Sequence, residues 1–213
     1  MSTGRGTGGG AMKLFVTPNS PYARIARIAA TEAGLTERIE EIRVVNRSPD
    51  SPLLAYSPVC RVPTLVEGAL VLGESRTICA YFDRVTGQAR CFPEGRADDW
   101  QARALEGLVT GFLDGVAVWN RELRREPAAR SAFLLEVELR RAERCLDRLE
   151  VLCPAAPAEW PWDFTRIALA ATLGILDHGL PALDWRQGRP RLAAWFAAAS
   201  ARPAMRATAP ERP

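Results

Sequence analysis

The sequence predicts an α/β half in the order β-α-β-α-β-β-α, followed by a half that is helical throughout. Three observations predict it. Short β-prone runs alternate with helical periodicity from Met12 to about Val85. A cluster of Gly and Pro interrupts that pattern at 87–95. Beyond it, apolar residues recur every three or four positions almost to the end, and all six tryptophans lie there. A chain of 213 residues falls between one domain and two, and can bury a core without disulfides or metals. The expected division is a flexible tail at 1–11, an α/β domain at 12–86, a linker at 87–95 and a helical domain at 96–207.

Each element has a local reason. Lys13 to Thr17 is a short β-prone run that ends at Pro18-Asn19. Ser20 is an N-cap candidate with Pro21 at the first helical position, where the missing N–H costs nothing. Tyr22, Ile25, Ala26, Ala29 and Ala33 follow helical spacing, and Gly34 supplies the stop. Ile39 to Val45 can form a second strand. The 46–56 region, with prolines at 49 and 52, reads as a loop holding one irregular helix. Pro63 to Glu67 and Leu70 to Leu72 flank a tight turn at Glu67-Gly68, and a helix opens near Glu74-Ser75. In the second half, Leu105, Leu108, Val109, Phe112, Val116 and Trp119 share one helical face. Leu135, Leu139, Ala142, Leu146, Leu149 and Cys153 share another. Ile167 to Leu176 is apolar on nearly every side, so that helix should be central. Leu192 to Ala201 reads as a last amphipathic helix, stopped by Pro203.

Composition narrows the function classes. The formal net charge is only +3, too small to point to nucleic acid or an anionic membrane, and neither is expected as a partner. Lys13 is the only lysine, and the arginines are interspersed with acids as on a solvated helix face. Five cysteines without a C-x-x-C pair argue for free thiols in a reducing cytosol rather than a disulfide framework. His178 is the only histidine, which leaves a Cys/His metal site unexpected and gives a serine triad a single, distant base. No apolar stretch is long enough to span a bilayer, and residues 1–11 lack the apolar core of a secretory signal. They read as a tail, or as an extension upstream of a start at Met12.

Three short pieces could carry chemistry. Ser20 at a helix start sits beside free backbone N–H groups and the positive end of the helix dipole, an environment that favours a thiolate over a thiol. Its hydroxyl can donate to such a sulfur, or it can serve only as a cap. Within Arg61-Val62-Pro63-Thr64-Leu65, a proline at the start of a strand can leave the Val62 backbone free to pair with an extended peptide. It can equally be an ordinary edge proline. Glu74-Ser75 at a second helix start can bind the two charges of an amino-acid end, a carboxylate at Ser75 and an ammonium at Glu74. It can also be a plain cap.

In this order, on this element pattern, the three pieces resemble the soluble glutathione S-transferase family, and the resemblance runs from Met12 to about Ala207. The ending PRLAAWFAAASARPAMRAT closely resembles that of bacterial members. The resemblance implies a thioredoxin-like first domain and an all-α helical-bundle second domain that forms the electrophile pocket. Ser20 matches the thiolate-activating serine of a Ser-Pro-aromatic motif. Val62, before Pro63, matches the backbone clamp on the cysteinyl unit, and Glu74 with Ser75 matches the pair that holds the γ-glutamyl end. Glutathione is thereby a co-substrate, no cofactor is bound permanently, and a small hydrophobic electrophile is the other partner. That electrophile should lie against Phe15, Asn19, Phe112 and Trp119. A cytoplasmic homodimer active in detoxification is expected.

Two departures from the family pattern stand out. Ser57-Pro58-Val59-Cys60-Arg61 replaces the usual Asn-Pro-x-Gly-Lys; Arg61 keeps a positive charge for the glycyl carboxylate but with different geometry. Cys60 is either oxidisable or buried, and burial is expected. Asp163-Phe164-Thr165-Arg166 replaces the family's capping box, so Arg166 cannot reciprocate as an acid would. The alternatives to a transferase are a non-catalytic binding or interaction protein of the same fold, with a stress or regulatory role, and a redox protein acting through Cys60 or another thiol.

Overall fold

The computed structural model describes residues 11–93, 99–180 and 183–211; the predicted tail, apart from Ala11, and the end of the predicted linker lie outside them. Four strands form one mixed sheet. The strand β1 (Met12–Val16) pairs in parallel with β2 (Ile39–Arg43) and antiparallel with β3 (Thr64–Glu67), which pairs antiparallel with β4 (Leu70–Gly73). The spatial order is β2-β1-β3-β4. Parallel neighbours need a crossover, and the helix α1 (Pro21–Glu32) supplies it. A hairpin suffices for β3 and β4, with Gly68 at φ +57° in its turn. The helix α2 (Ser75–Thr86) closes this layer and ends on Gly87 at φ +66°.

The second half is helical throughout. It comprises α3 (Trp100–Leu123), α4 (Ala132–Leu152), α5 (Phe164–Gly179), α6 (Pro190–Ser200) and the short α7 (Pro203–Ala207). Asp99, Ser131 and Asp163 cap the first three of these through their side chains. Every residue of α5 from Phe164 to Leu176 is buried, as its all-round apolar sequence requires. The irregular helix expected between β2 and β3 is a 3₁₀ turn at Pro52–Ala55. Two expectations need correction. The second strand stops at Arg43 rather than Val45. Pro203 does not end the helical run but opens α7, taking the first-turn position where proline fits.

Sheet alternation creates two unequal cores. Met12, Leu14, Val16 and Leu65 point into the main core with α1 and the helical half, whereas Phe15 and Val66 point to the opposite face and pack with Val44 and Leu53. The main core is continuous from the sheet through α1 into α5. The described part of the expected linker is docked rather than loose. The Asp83 carboxylate accepts from the backbone N–H groups of Arg90, Cys91 and Phe92, and Phe164 N–H donates to Cys91 C=O at 3.0 Å. The altered capping box is satisfied by another route: Asp163 accepts from Arg166 N–H at 3.1 Å and also ion-pairs with the Arg166 guanidinium at 3.0 Å.

Arg24, on α1, is 6% exposed and has no carboxylate partner among the described residues. It donates to Met205 C=O at 3.1 Å and to Thr208 Oγ1 at 3.5 Å, and its Nη1 has no hydrogen-bond partner among the described residues. Burial, and secondarily the positive charge of Arg27, lowers its pKa to about 10. Gly174 of α5 makes room for it, since a Cβ there would lie 2.2 Å from Arg24 Nη1. Gly174→Ala is therefore expected to cost about 1–3 kcal/mol in urea unfolding by overpacking, although alanine is the better helix former. In an Arg24→Ala background the same change should instead stabilise by up to ~1 kcal/mol; equal effects in both backgrounds would contradict the close approach.

The phenol of Tyr22, on α1, donates to Asp114 Oδ1 on α3 and so fastens the sheet half to the helical half. Partial burial, then this bond and the charge of Asp114, raises the Tyr22 pKa above its ordinary value of 10.0. A raised acid pKa gives a contribution that is complete below pH 10 and declines above it, as the unfolded chain ionises first. The stability difference between wild type and Tyr22→Phe, measured by urea unfolding, is thus expected to be flat to pH 10 and to shrink at higher pH.

Candidate active site at one end of the sheet

Strand register brings the three sequence-predicted pieces to one end of the sheet. Phe15 pairs with Thr64, and Thr64 pairs with Gly73. The chain leaving β1, the chain entering β3 and the chain leaving β4 therefore emerge side by side. Ser20, Val62 and Glu74 lie on those three segments, so β1, β3 and β4 place them at neighbouring positions.

Ser20 caps α1: its Oγ accepts from Ala23 N–H at 3.2 Å. A hydroxyl has one donor and two acceptor lone pairs, so the cap leaves the Ser20 proton available. The Val62–Pro63 peptide bond is cis, and β3 begins only at Thr64. Val62 makes no backbone hydrogen bond to any described residue, while the C=O of its neighbour Arg61 accepts from the Thr64 hydroxyl at 2.7 Å. Pro63 is buried and Arg61 is exposed.

Glu74 and Ser75 are closed on each other. Ser75 Oγ donates to Glu74 Oε1 at 3.0 Å, and the Glu74 carboxylate also accepts from Arg76 N–H at 3.0 Å and Thr77 N–H at 3.2 Å. The carboxylate thus caps α2, and the ammonium role read from the sequence would require it to share those lone pairs. Ser75 is 3% exposed. Glu74 at φ +73° and Cys60 at φ +47° hold left-handed φ values, which cost residues with a Cβ about 1–3 kcal/mol each. Both strained positions flank the site. Cys60 is only half buried, so the expectation of burial is corrected; it packs against the edge of the smaller core.

The residues expected to meet an electrophile are placed differently. Phe15 is 2% exposed in the smaller core, with its ring 5.1 Å from that of Tyr56. Phe112 and Trp119 are 1% and 8% exposed, on the side of α3 turned into the main core. None of the three has side-chain surface to offer a ligand, because the apolar periodicity that drew attention to them is the signature of the buried face. Asn19 remains beside Ser20 and is tied to the C-terminal segment: Glu211 N–H donates to Asn19 Oδ1 at 2.9 Å, and Asn19 Nδ2 donates to Glu211 C=O at 3.2 Å.

Sequence reasoning missed Asp114 on α3. Asp114 holds the Tyr22 hydroxyl two residues from Ser20, and the one signal for it was an acid within an otherwise apolar helical stretch. Glu106, about two turns earlier on α3, pairs with Arg76 at the start of α2. Among the thiols, burial holds Cys153 up at about 11 and raises Cys145. A hydrogen bond with Cys91, then burial, raises Cys79 well above the usual thiol range. These three thiols are thereby poorer nucleophiles at neutral pH. Among the described residues no helix is long and apolar enough to cross a membrane.

Known proteins resemble this chain in sequence and fold. The family description "Glutathione S-transferase, N-terminal domain" matches residues 19–85, which hold all three pieces. A glutathione transferase family member from Pseudomonas fluorescens Pf-5, solved with S-(propanoic acid)-glutathione, is 32% identical with a TM-score of 0.80. The match covers 94% of this chain and 100% of that one. A glutathione S-transferase from Methylobacillus flagellatus KT, solved with glutathione, is 29% identical over 94% of this chain and 100% of that one, with a TM-score of 0.82. A stringent starvation protein A homolog from Coxiella burnetii is 38% identical over 72 residues, 34% of each chain, so the match spans about a third of that relative. A sheet end that gathers a capping serine, an unpaired Val62 backbone and a Glu-Ser helix start, within a chain similar from end to end to a solved relative, leads to one conclusion: the chain belongs to the glutathione transferase family.

Proposed function

We infer that this protein is a cytoplasmic glutathione transferase of the serine type. It would bind glutathione across the ends of β1, β3 and β4 and direct the sulfur at a small electrophile in the cleft beside α3. The observation that carries the reading is the state of Ser20: the hydroxyl accepts a backbone N–H, and so fixes its own position, while keeping a proton to give to a sulfur anion. The backbone of Val62 would pair with the cysteinyl unit, Ser75 with Glu74 would hold the γ-glutamyl end, and Arg61 would meet the glycyl carboxylate. Binding would supply most of the acceleration, by holding the anion beside its electrophile in a partly dry site. The raised thiols argue against a redox protein acting through Cys79, Cys145 or Cys153.

The likeness to stringent starvation protein A homologs keeps an interaction role as the second reading. Titration with glutathione separates the two, because an interaction protein has no need of the tripeptide. Binding at or below millimolar ligand supports the transferase; no heat at that concentration would sink it. Steady-state conjugation of a chloro-nitro-aromatic then tests Ser20 itself. Ser20→Ala removes both cap and donor and should lose about 1 kcal/mol of stability. Ser20→Asp keeps the cap, so its stability should stay close to wild type. Both should lower kcat/KM by about 100-fold, the scale for losing one donor to a developing or held anion. A Ser20→Asp variant with wild-type turnover would remove the hydroxyl from the mechanism.

The homodimer expected from the family is supported by apolar side chains on the exposed edge, Leu70 and Val71 of β4, together with Val59. Light scattering should give twice the 23.4 kDa of one chain. Val71→Lys should shift the mass toward that of a monomer with the fold retained; an unchanged mass would place the contact elsewhere.

A further inference from the structure

One face of α3 is polar where it meets the start of α1. Asp114 lies on that face, with its carboxylate taken up by the Tyr22 hydroxyl. Arg121 follows seven residues later, two turns along and about 20° off the same line. Arg121 is exposed and forms no ion pair with a described residue, and the same holds for Arg61 on the chain that enters β3. Arg76, by contrast, is paired with Glu106. Both free guanidinium groups lie within electrostatic reach of the Tyr22 phenol, favouring its anion against the stronger effects that raise its pKa. Around a tyrosine two residues from Ser20 there is therefore one engaged carboxylate and two unengaged cations, one from each half of the chain.

We propose that the second-substrate side of this cleft is built for an electrophile bearing a carboxylate, and that Arg121 is the residue that pairs with it. This rests on the glutathione-binding reading above, in which Arg61 is already assigned to the glycyl carboxylate. Arg121, on the α3 wall, has no such duty. A thiolate and a carboxylate-bearing electrophile repel each other on approach. An unengaged guanidinium on α3 offsets the substrate's charge and orients its plane through two parallel N–H···O bonds. For a halogenated aromatic acid, the sulfur electron pair forms the S–C bond and the halide leaves with the pair of the broken C–halogen bond. The thiol proton has already passed to solvent, and no oxidant or reductant is consumed.

Calorimetric titration with glutathione, S-benzylglutathione and S-(4-carboxybenzyl)glutathione tests the assignment without requiring turnover. The wild type is expected to bind the carboxylated adduct about 10-fold more tightly than the neutral one, a typical worth for one charge-assisted pair. Arg121→Gln should erase that preference and leave the affinity for glutathione unchanged within about twofold, while Arg121→Lys should restore part of it. Equal binding of the two adducts by the wild type would overturn the proposal and leave the transferase reading standing. So would an Arg121→Gln variant that weakens glutathione as much as the carboxylated adduct, since Arg121 would then serve the glycyl end. Absence of glutathione binding in the wild type would overturn both. In turnover, the acceleration over the uncatalysed reaction should be greater for 4-chloro-3-nitrobenzoate than for its intrinsically more reactive methyl ester, and this difference should disappear in Arg121→Gln; an undiminished difference would overturn the role of Arg121.

Discussion

The position of the reactive end depends on the burial of α1 on both of its sides. Ile25 and Ile28 are buried in the one core that runs from the sheet to α5, and each contributes about 1.5–3 kcal/mol by leaving water. A helix held from two sides cannot slide or rotate without opening the core, so its first turn is fixed in space. Ser20 inherits that fixity through its cap. The close approach of α5 requires Gly174, and the space it leaves admits Arg24, a buried cation with no carboxylate partner among the described residues. Arg24 in turn holds Met205 and Thr208, so the C-terminal segment is fastened to the same helix. Its contacts run in order along α1: Arg202 with Glu32, Met205 and Thr208 with Arg24, and Glu211 with Asn19.

The site itself follows from sheet topology more than from any one side chain. Because β1 and β3 are antiparallel and β3 and β4 are antiparallel, the segments that leave β1, enter β3 and leave β4 share an edge. Two of those segments contain a left-handed residue other than glycine, Cys60 and Glu74. At Glu74 the strained backbone turns the carboxylate back onto the first N–H groups of α2, where a negative charge is stabilised by the helix dipole. The acid is thereby rigid before any ligand arrives, which reduces the ordering cost of binding but obliges a ligand to share an occupied acceptor.

How much of this was legible in the sequence divides along the distance between partners. Caps and stops are local, and Ser20, Gly34 and Asp163 announced themselves through residue type and spacing. The central place of α5 was legible because an all-round apolar helix has only one place to go. Arg166 cannot return the bond as an acid would, and its guanidinium instead pairs with the capping Asp163. Phe15, Phe112 and Trp119 were misassigned for a general reason: periodicity identifies the apolar face of an element but not whether protein or ligand covers it. The Tyr22–Asp114 contact spans 92 residues and the Asn19–Glu211 contact 192, and no local pattern marks either.

A cap and a catalytic donor are often treated as competing explanations of a serine at a helix start, yet here they use different parts of one group. The Ala23 N–H occupies an acceptor lone pair of Ser20 Oγ, while catalysis would use its proton. Accepting that bond also makes the hydroxyl a better donor, since hydrogen bonds in a chain polarise one another. Tyr22 shows the opposite case. Its hydroxyl is equally near the start of α1, but its proton is given to Asp114, and burial holds the phenol neutral. Of the two hydroxyls in this first turn, only the serine retains a proton to offer a sulfur anion. Tyr22 instead joins the two halves of the chain beside the place where that anion would lie.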